Sequence, residues 1–235
     1  VIKTLEHQQS ILNVLAGVNA LTEQDIDNRL AGSRFKRELR KFQKRDLGWL
    51  LALNNGANFS VPGAGKTTVT YALYEAERLA GKVSQLLVVA PLSAYDAWHS
   101  EAEECFDEKP VVFSFDGSKI PTDAEIVVIN YQRLPTSYET LVEWLQLKPT
   151  HMVLDEAHRM KKGWSGAWGR NSLYLAYVAV RRDILTGTPA PQSVKDVAAL
   201  IDFVWPNQSR RILPPAVFTS RPPKNIASQV KGSIA

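Results

Sequence analysis

The sequence has very little cysteine and no long apolar run. Cys105 is the only cysteine among 235 residues, so no disulfide can form within the chain, as is typical of proteins from a reducing compartment. Apolar runs such as 86–91 and 203–205 fall far short of the roughly 20 residues that a membrane-spanning helix needs. The sequence therefore predicts neither a membrane protein nor a secreted, disulfide-stabilised one.

Charge of one sign is not in large excess either. There are 28 Lys and Arg residues against 24 Asp and Glu residues, which gives a formal net charge of +4. A mildly basic protein can bind a polyanion but need not do so. The basic residues are nevertheless uneven, because residues 207–235 contain no acidic side chain and a dense basic cluster lies near the N-terminus. This cluster comprises Arg34, Lys36, Arg37, Arg40, Lys41, Lys44 and Arg45.

The chain does contain enough apolar material for a core, with 45% hydrophobic residues. Short aliphatic runs typical of buried strands lie at 58–61, 86–90, 111–115, 126–129, 152–154 and 184–185. Helical spacing of apolar residues occurs at 5–16, 22–31, 38–54, 66–80, 94–105, 132–146, 171–180 and 194–204. Alternating strands and helices predict an α/β fold whose mainly parallel sheet is covered on both faces. Ligands of such sheets bind at the carboxyl ends of the strands.

One glycine-bearing segment follows a predicted strand and leads into a predicted helix. It reads NFSVPGAGKTT over residues 58–68. Gly63 and Gly65 allow backbone N–H groups to close around phosphate oxygens, and the helix adds its positive end. Lys66 would reach the outer phosphates, and the Thr67 hydroxyl would reach Mg²⁺. The segment therefore predicts a nucleotide-phosphate site.

A second segment, HMVLDEAH at residues 151–158, ends a buried strand with two adjacent carboxylates. Asp155 is suited to hold Mg²⁺, and Glu156 to orient and deprotonate an attacking water. Alone, such a pair could equally be a solvated strand end. Its position about 90 residues after a phosphate loop favours nucleotide hydrolysis.

Together these segments resemble the first RecA-like lobe of superfamily 2 helicases and translocases. Further similarity is to the Swi/Snf-type branch of duplex-DNA translocases. It is carried by LRKFQKRDLGWL at 39–50, LVVAPLSAYDAWHSE at 87–101, IVVINY at 126–131 and LTGTPAPQSVKDV at 185–197. The resemblance implies a RecA-like P-loop sandwich with an N-terminal helical extension. It divides the chain into the extension at 1–37, the ATP-binding lobe at 38–206, and a basic tail or linker at 207–235.

The sequence departs from the branch at two motifs. Ser60 stands where the first glycine of the phosphate loop is usual, and residues 59–62 lack the usual acidic stretch. Gln192 stands where the branch usually has asparagine. These differences favour a divergent, bacterial relative over a eukaryotic nucleosome remodeller. The expected location is therefore the bacterial cytoplasm, or the nucleus if the source is a eukaryote, and not the exterior of the cell.

The resemblance implies ATP and Mg²⁺ as ligands. The expected ATP-binding residues are Gln43, Pro62, Gly63, Ala64, Gly65, Lys66, Thr67, Thr68 and His158. Gln43 would pair with the adenine edge as both donor and acceptor. Thr67 and Asp155 would bind the metal, and Lys66, Asp155 and Glu156 would be catalytic.

The resemblance also implies a nucleic-acid surface and a coupling element. The expected nucleic-acid contacts are Pro91, Ser93, Asn130 and Tyr131, and the expected coupling residues are Thr186, Gly187 and Thr188. Trp98 has two interpretations, as a core residue or as a support for the loop that faces DNA. Trp164 and Trp168, among basic neighbours, could grip a nucleic-acid backbone or belong to a partly buried helix.

The function implied is an ATP hydrolase that translocates along nucleic acid, preferentially duplex DNA. A strand-separating DNA or RNA helicase and a nucleotide-gated binding module without turnover remain as alternatives. The family needs a second RecA-like lobe that supplies arginine fingers, and no second set of motifs follows residue 206. We therefore expect the second lobe in a longer form of the protein.

Overall fold

The computed structural model describes residues 19–218, so the predicted helix at 5–16 and the tail after 218 lie outside the described residues. Between 19 and 218, six strands form one sheet in which all neighbouring pairs are parallel. The strands are β1 Gly56–Asn58, β2 Gln85–Ala90, β3 Val112–Ser114, β4 Ile126–Asn130, β5 Thr150–Asp155 and β6 Arg181–Leu185. Their order across the sheet is β1-β6-β5-β2-β4-β3. The parallel α/β fold predicted from the sequence is confirmed.

Helices cover both faces of this sheet. They are α1 Glu23–Leu30, α2 Lys41–Ala52, α3 Lys66–Leu79, α4 Tyr95–Cys105, α5 Tyr138–Leu147, α6 Ala167–Ala176, α7 Asp196–Val204 and α8 Ser209–Ile212. Leu87 and Val89 of β2 pack with α5, α6 and α7, whereas Leu86 and Val88 pack with α3 and α4. Both faces of β2 are thus buried, which explains its unbroken aliphatic run. None of the helices found between residues 19 and 218 is long and apolar enough to cross a membrane.

The N-terminal helices form an additional layer on α3. Ile26 of α1 and Leu47 of α2 are buried against Val69 and Leu73 of α3. Helix α1 begins where the sequence predicts, because the Thr22 hydroxyl accepts the Asp25 amide hydrogen and so caps the helix. The additional layer holds α2, and with it Gln43, next to the start of α3.

Three predicted boundaries are wrong, the first two for local reasons. The strand predicted at 58–61 ends at Asn58, because the Asn58 carboxamide accepts the Ser60 amide hydrogen at 2.9 Å and turns the chain. The helix predicted at 132–146 begins only at Tyr138. Before it, the Asn130 carboxamide accepts the Arg133 amide hydrogen at 3.1 Å and stabilises a short 3₁₀ turn. Helix α6 begins four residues before the predicted 171–180.

A buried ionic network joins the amino-terminal halves of β5 and β6 to the surrounding helices. Asp183 accepts hydrogen bonds from Arg181 Nε and from the His151 ring, each at 2.7 Å. Arg181 also donates to the carbonyls of Leu50 and Leu53 at the end of α2. Burial alone would raise the pKa of Asp183, but Arg181 and His151 outweigh it and the pKa is lowered. Burial lowers the pKa of His151.

We expect Asp183→Ala to destabilise the fold strongly. It leaves the guanidinium of Arg181, which is 3% exposed, without its main counter-charge, a change that typically costs about 3–5 kcal/mol. Urea unfolding followed by circular dichroism measures this loss. Glu103→Ala, which breaks the exposed pair with Lys109, is the matched control and should change stability far less. Equal stability of the Asp183→Ala and control variants would contradict the structural role of the network.

Candidate nucleotide-binding site

The predicted ATP and metal residues meet at the carboxyl edge of the sheet. The register pairs Leu185 of β6 with Asn58 of β1 on one side and with Asp155 of β5 on the other. The three strands therefore end at the same level. Three segments leave the sheet at this level. The phosphate loop follows β1, the acid pair ends β5, and residues 186–188 follow β6.

The phosphate loop adopts the backbone that its glycines permit. Gly63 and Gly65 have φ angles of 79° and 75°, in the left-handed region that side chains disfavour. A Cβ at Gly65 would collide with the carboxamide of Gln43, whereas a Cβ at Gly63 would meet open space. Gly65 is therefore required both for its conformation and for its close approach to α2.

Lys66 lies across this loop. Its ammonium group donates to the carbonyls of Ser60 at 3.0 Å and Val61 at 3.3 Å. The amides of Lys66, Thr67 and Thr68 form the first turn of α3, where N–H groups have no acceptor within the helix. A lysine and a helix N-terminus thus converge on the same loop, an arrangement that attracts phosphate oxygens.

Asp155 is held by three contacts at the end of β5. Its carboxylate accepts the Glu156 amide hydrogen at 2.9 Å and the indole N–H of Trp98 at 3.1 Å. Its backbone carbonyl accepts the Tyr131 hydroxyl at 2.8 Å. Burial raises the pKa of Asp155, and the Trp98 hydrogen bond opposes this effect. The carboxylate is therefore fixed in direction and partly shielded from water.

Glu156 occupies a strained position directly after Asp155. Its backbone has φ 49° and ψ 49°, a left-handed conformation that costs a non-glycine residue about 1–3 kcal/mol. Its carboxylate lies 3.2 Å from the His158 ring nitrogen Nδ1. Strain of this kind clusters at functional sites, where it points a side chain in a required direction.

The His158 ring links the acid pair to the segment after β6. Its Nδ1 lies 3.1 Å from the Thr186 hydroxyl and 3.4 Å from the Thr188 hydroxyl. The Thr186 amide donates to the Asn58 carbonyl at 3.1 Å. A Cβ at Gly187 would lie 3.0 Å from the Pro62 ring, so this segment also approaches the phosphate loop. The predicted coupling residues thus contact both parts of the site.

Two predicted ATP residues make contacts that the sequence did not indicate. Gln43 accepts the Arg40 amide hydrogen at 3.0 Å and donates to the Ala64 carbonyl at 3.2 Å, so its carboxamide joins α2 to the phosphate loop. The Thr68 hydroxyl donates to Glu101 of α4 and is buried, which leaves its backbone amide as the group suited to phosphate. Adenine recognition by Gln43 stays a prediction.

Most of the residues predicted to contact nucleic acid are buried and so are not accessible to it. Ser93 is exposed in the 3₁₀ turn after β2, whereas Pro91 and Asn130 are buried. Tyr131 is 0% exposed, and its hydroxyl is used by Asp155. A side chain without accessible surface cannot touch a nucleic-acid backbone in this conformation. The structure instead makes Tyr131 a support of the acid pair.

A phosphate loop, an acid pair and a threonine segment at the carboxyl edge of a parallel sheet are the features of a P-loop fold of the RecA-like class. The particular family follows from comparison with known proteins. A sequence profile of the SNF2-related domain matches residues 42–220. The chain belongs to this family.

The chain is also similar in sequence to individual proteins. The chain is 31% identical over 183 residues to the nuclear protein STH1/NPS1 of Saccharomyces cerevisiae, a match that covers 72% of this chain and 13% of that protein. It is 32% identical over 184 residues to the chromatin structure-remodeling complex subunit snf21 of Schizosaccharomyces pombe, covering 72% of this chain and 15% of that protein. The chain therefore spans only a small part of these relatives.

Solved structures show the same fold. The Sulfolobus solfataricus SWI2/SNF2 ATPase core in complex with dsDNA superposes with a TM-score of 0.66 at 21% identity. The match covers 86% of this chain and 44% of that structure. The ATPase core domain of the same organism, solved separately, gives a TM-score of 0.62.

Proposed function

We propose that this chain is the ATP-binding first lobe of a motor that hydrolyses ATP with Mg²⁺ and moves along duplex DNA. One observation carries the proposal. Lys66, Asp155, Glu156 and the His158–Thr186 contact meet at one edge of the sheet in a chain that belongs to the SNF2-related family. In this proposal the edge would supply a phosphate site, a metal carboxylate, a base and a link to the segment after β6.

The residues at this edge fit a magnesium ion. Mg²⁺ prefers oxygen ligands and is usually bound by one or two carboxylates together with substrate phosphates. Within the described part of the chain, each Asp155 carboxylate oxygen accepts one hydrogen bond, so each keeps acceptor capacity for the ion or its water ligands. The Thr67 hydroxyl, at the start of α3, would complete the protein's share. When bound, the ion neutralises charge that develops on the phosphates.

The other steps of the proposed reaction would be performed by side chains of this chain. Lys66 would bind the outer phosphates and leave its two carbonyl partners as nucleotide enters. Glu156 would orient the attacking water and accept its proton, held in direction by its left-handed backbone. His158 would transmit the loss of the outer phosphate to Thr186, Gly187 and Thr188.

A second lobe would complete the motor. The chain covers 44% of the superposed archaeal core and a much smaller share of the curated relatives. We propose that an arginine from that lobe stabilises the transition state, a contribution worth roughly 10³–10⁵ in rate. The chain alone should then hydrolyse ATP very slowly.

Duplex DNA is the proposed track. The archaeal structure that superposes on this chain was solved with dsDNA, and Ser93 is exposed in the loop that we expect to face the backbone. The motor would therefore work where DNA is accessible, in a bacterial cytoplasm or a eukaryotic nucleus. Intact Lys66, Asp155 and Glu156 argue against a binding module that has lost turnover.

We expect duplex DNA of any sequence to stimulate phosphate release by the full-length protein, with binding that weakens steeply in salt. Backbone contacts release counterions, so log K falls linearly with log salt. A protein that contacts six phosphates loses about 10³-fold in affinity between 50 and 200 mM salt. Fluorescence anisotropy with two unrelated duplexes and one single strand measures the slope.

Two outcomes would contradict the DNA part of this proposal. A flat salt response would mean that phosphates are not the main contact, and strong preference for one sequence would mean base recognition.

Displacement of a third strand without separation of the duplex is expected for a translocase. Separation of the two strands would instead support the helicase alternative.

A further inference from the structure

Trp98 is the residue whose contacts exceed its expected role. It lies in α4, is 0% exposed, and donates its indole N–H to the Asp155 carboxylate at 3.1 Å. The side chain therefore reaches from α4 to the end of β5, where metal binding is proposed. A buried tryptophan N–H usually needs an acceptor, and here the acceptor is the carboxylate proposed to bind the metal.

Trp98 is itself immobilised by α3, the helix that begins at the phosphate loop. The Tyr71 ring stands edge-on to the Trp98 ring at a centroid distance of 5.3 Å and an interplanar angle of 87°. The Tyr71 hydroxyl donates to the Trp98 carbonyl at 2.6 Å. The position of the indole N–H is thus set by the same helix that carries Lys66 and Thr67.

A second contact between α3 and α4 lies one turn further along α4. Glu101 accepts the Thr68 hydroxyl and also an Arg37 guanidinium hydrogen at 2.8 Å. Trp98 and Glu101 are three residues apart and so share one face of the helix. This face holds α4 against the phosphate-loop helix at two points, which fixes how far the indole extends towards β5.

Among residues 19–218, the Asp155 carboxylate has two hydrogen-bond donors, a backbone amide and an indole N–H. The Glu156 amide is a neighbour in sequence and moves with Asp155. The Trp98 indole comes from a different element, and so it alone of these two donors relates the carboxylate to α3 and Thr67. Partners that hydrogen-bond to a metal ligand orient it, and their loss typically weakens metal affinity about 10–100-fold.

We propose that Trp98 is a positioning residue that holds the Asp155 carboxylate in the direction required for Mg²⁺. The inference rests on the proposed function, because it concerns the same metal site. It assigns Trp98 a role beyond the core and beyond support of the DNA-facing loop. Trp98 itself lies about one helix turn after the 3₁₀ turn that contains Ser93.

The test replaces the indole N–H in the full-length protein and measures Mg²⁺-dependent nucleotide binding rather than turnover. Trp98→Phe removes the donor and part of the ring. Incorporation of 3-benzothienylalanine at position 98 removes the donor alone, because sulfur replaces the N–H in a ring of nearly the same shape. Binding of a fluorescent ADP analogue is titrated first in EDTA and then with increasing Mg²⁺. Trp144→Phe, at a buried tryptophan of α5 outside the site, is the matched control.

Both Trp98 variants should bind the analogue like wild type in EDTA. The Mg²⁺ concentration that half-completes the tightening should rise about tenfold or more, and the control should not change it. An unchanged titration for the benzothienylalanine protein would overturn the inference, as would an equal shift in the control. If wild type itself shows no tightening by Mg²⁺, the proposed function fails, and this inference fails with it.

Discussion

Replacing Lys66 with alanine is expected to lower ATP turnover of the full-length protein at least about 10²-fold, the usual loss when one preorganised charge-stabilising group is removed. The ammonium group is the only side-chain cation that the structure places on the phosphate loop in the described residues, where it donates to the Ser60 and Val61 carbonyls. These two contacts are local, so the melting temperature should change little.

Lys109→Ala provides the matched control, because Lys109 is exposed and its ion pair is with the exposed carboxylate of Glu103. Steady-state phosphate release and thermal melting are measured on both variants with saturating duplex DNA. Near-wild-type turnover by Lys66→Ala would remove the basis for assigning residues 62–68 to phosphate binding.

The second large effect is expected when either carboxylate of the acid pair, Asp155 or Glu156, is replaced by its amide. The two replacements should impair different functions, metal binding and proton transfer. Glu156→Gln should retain nucleotide affinity and lose most turnover, by about 10²–10⁴-fold, because glutamine keeps the shape but cannot accept a proton. Asp155→Asn should instead weaken the Mg²⁺-dependent part of binding, since a neutral amide is a poorer ligand for a hard cation.

Single-turnover hydrolysis and titration with a fluorescent ATP analogue distinguish these two effects. Glu143→Gln, an exposed position on α5, is the matched control for a charge loss outside the site. If Glu156→Gln and Asp155→Asn lose nucleotide binding equally, the division between base and metal ligand is wrong.

The sequence predicted the fold well because each strand of this sheet carries its own signal. Strands buried on both faces, such as β2 and β4, appear as unbroken aliphatic runs. Strand β1 has only three residues, and a side-chain turn at Asn58 ends it, so its run was misplaced. Side-chain hydrogen bonds of this kind are local, but composition does not reveal them.

The parts of the site that could be predicted are those whose functional residues lie close together in the sequence. The phosphate loop and acid pair each lie within one short segment, and both segments meet as expected at the edge formed by β1, β6 and β5. The contacts of Trp98 with Asp155 and of Thr68 with Glu101 join residues 57 and 33 positions apart. A tryptophan followed by an acid three residues later was the only sequence signal for them.

The central claim, that the nucleotide site is contained in this chain, is tested most directly by ATP binding to purified residues 1–235. Fluorescence of an ATP analogue should show weak, saturable binding that tightens with Mg²⁺ and is lost in the Lys66→Ala chain. Circular dichroism of the same samples verifies that the chain is folded. A folded chain that fails to bind the analogue, while the full-length protein binds it, would contradict the claim.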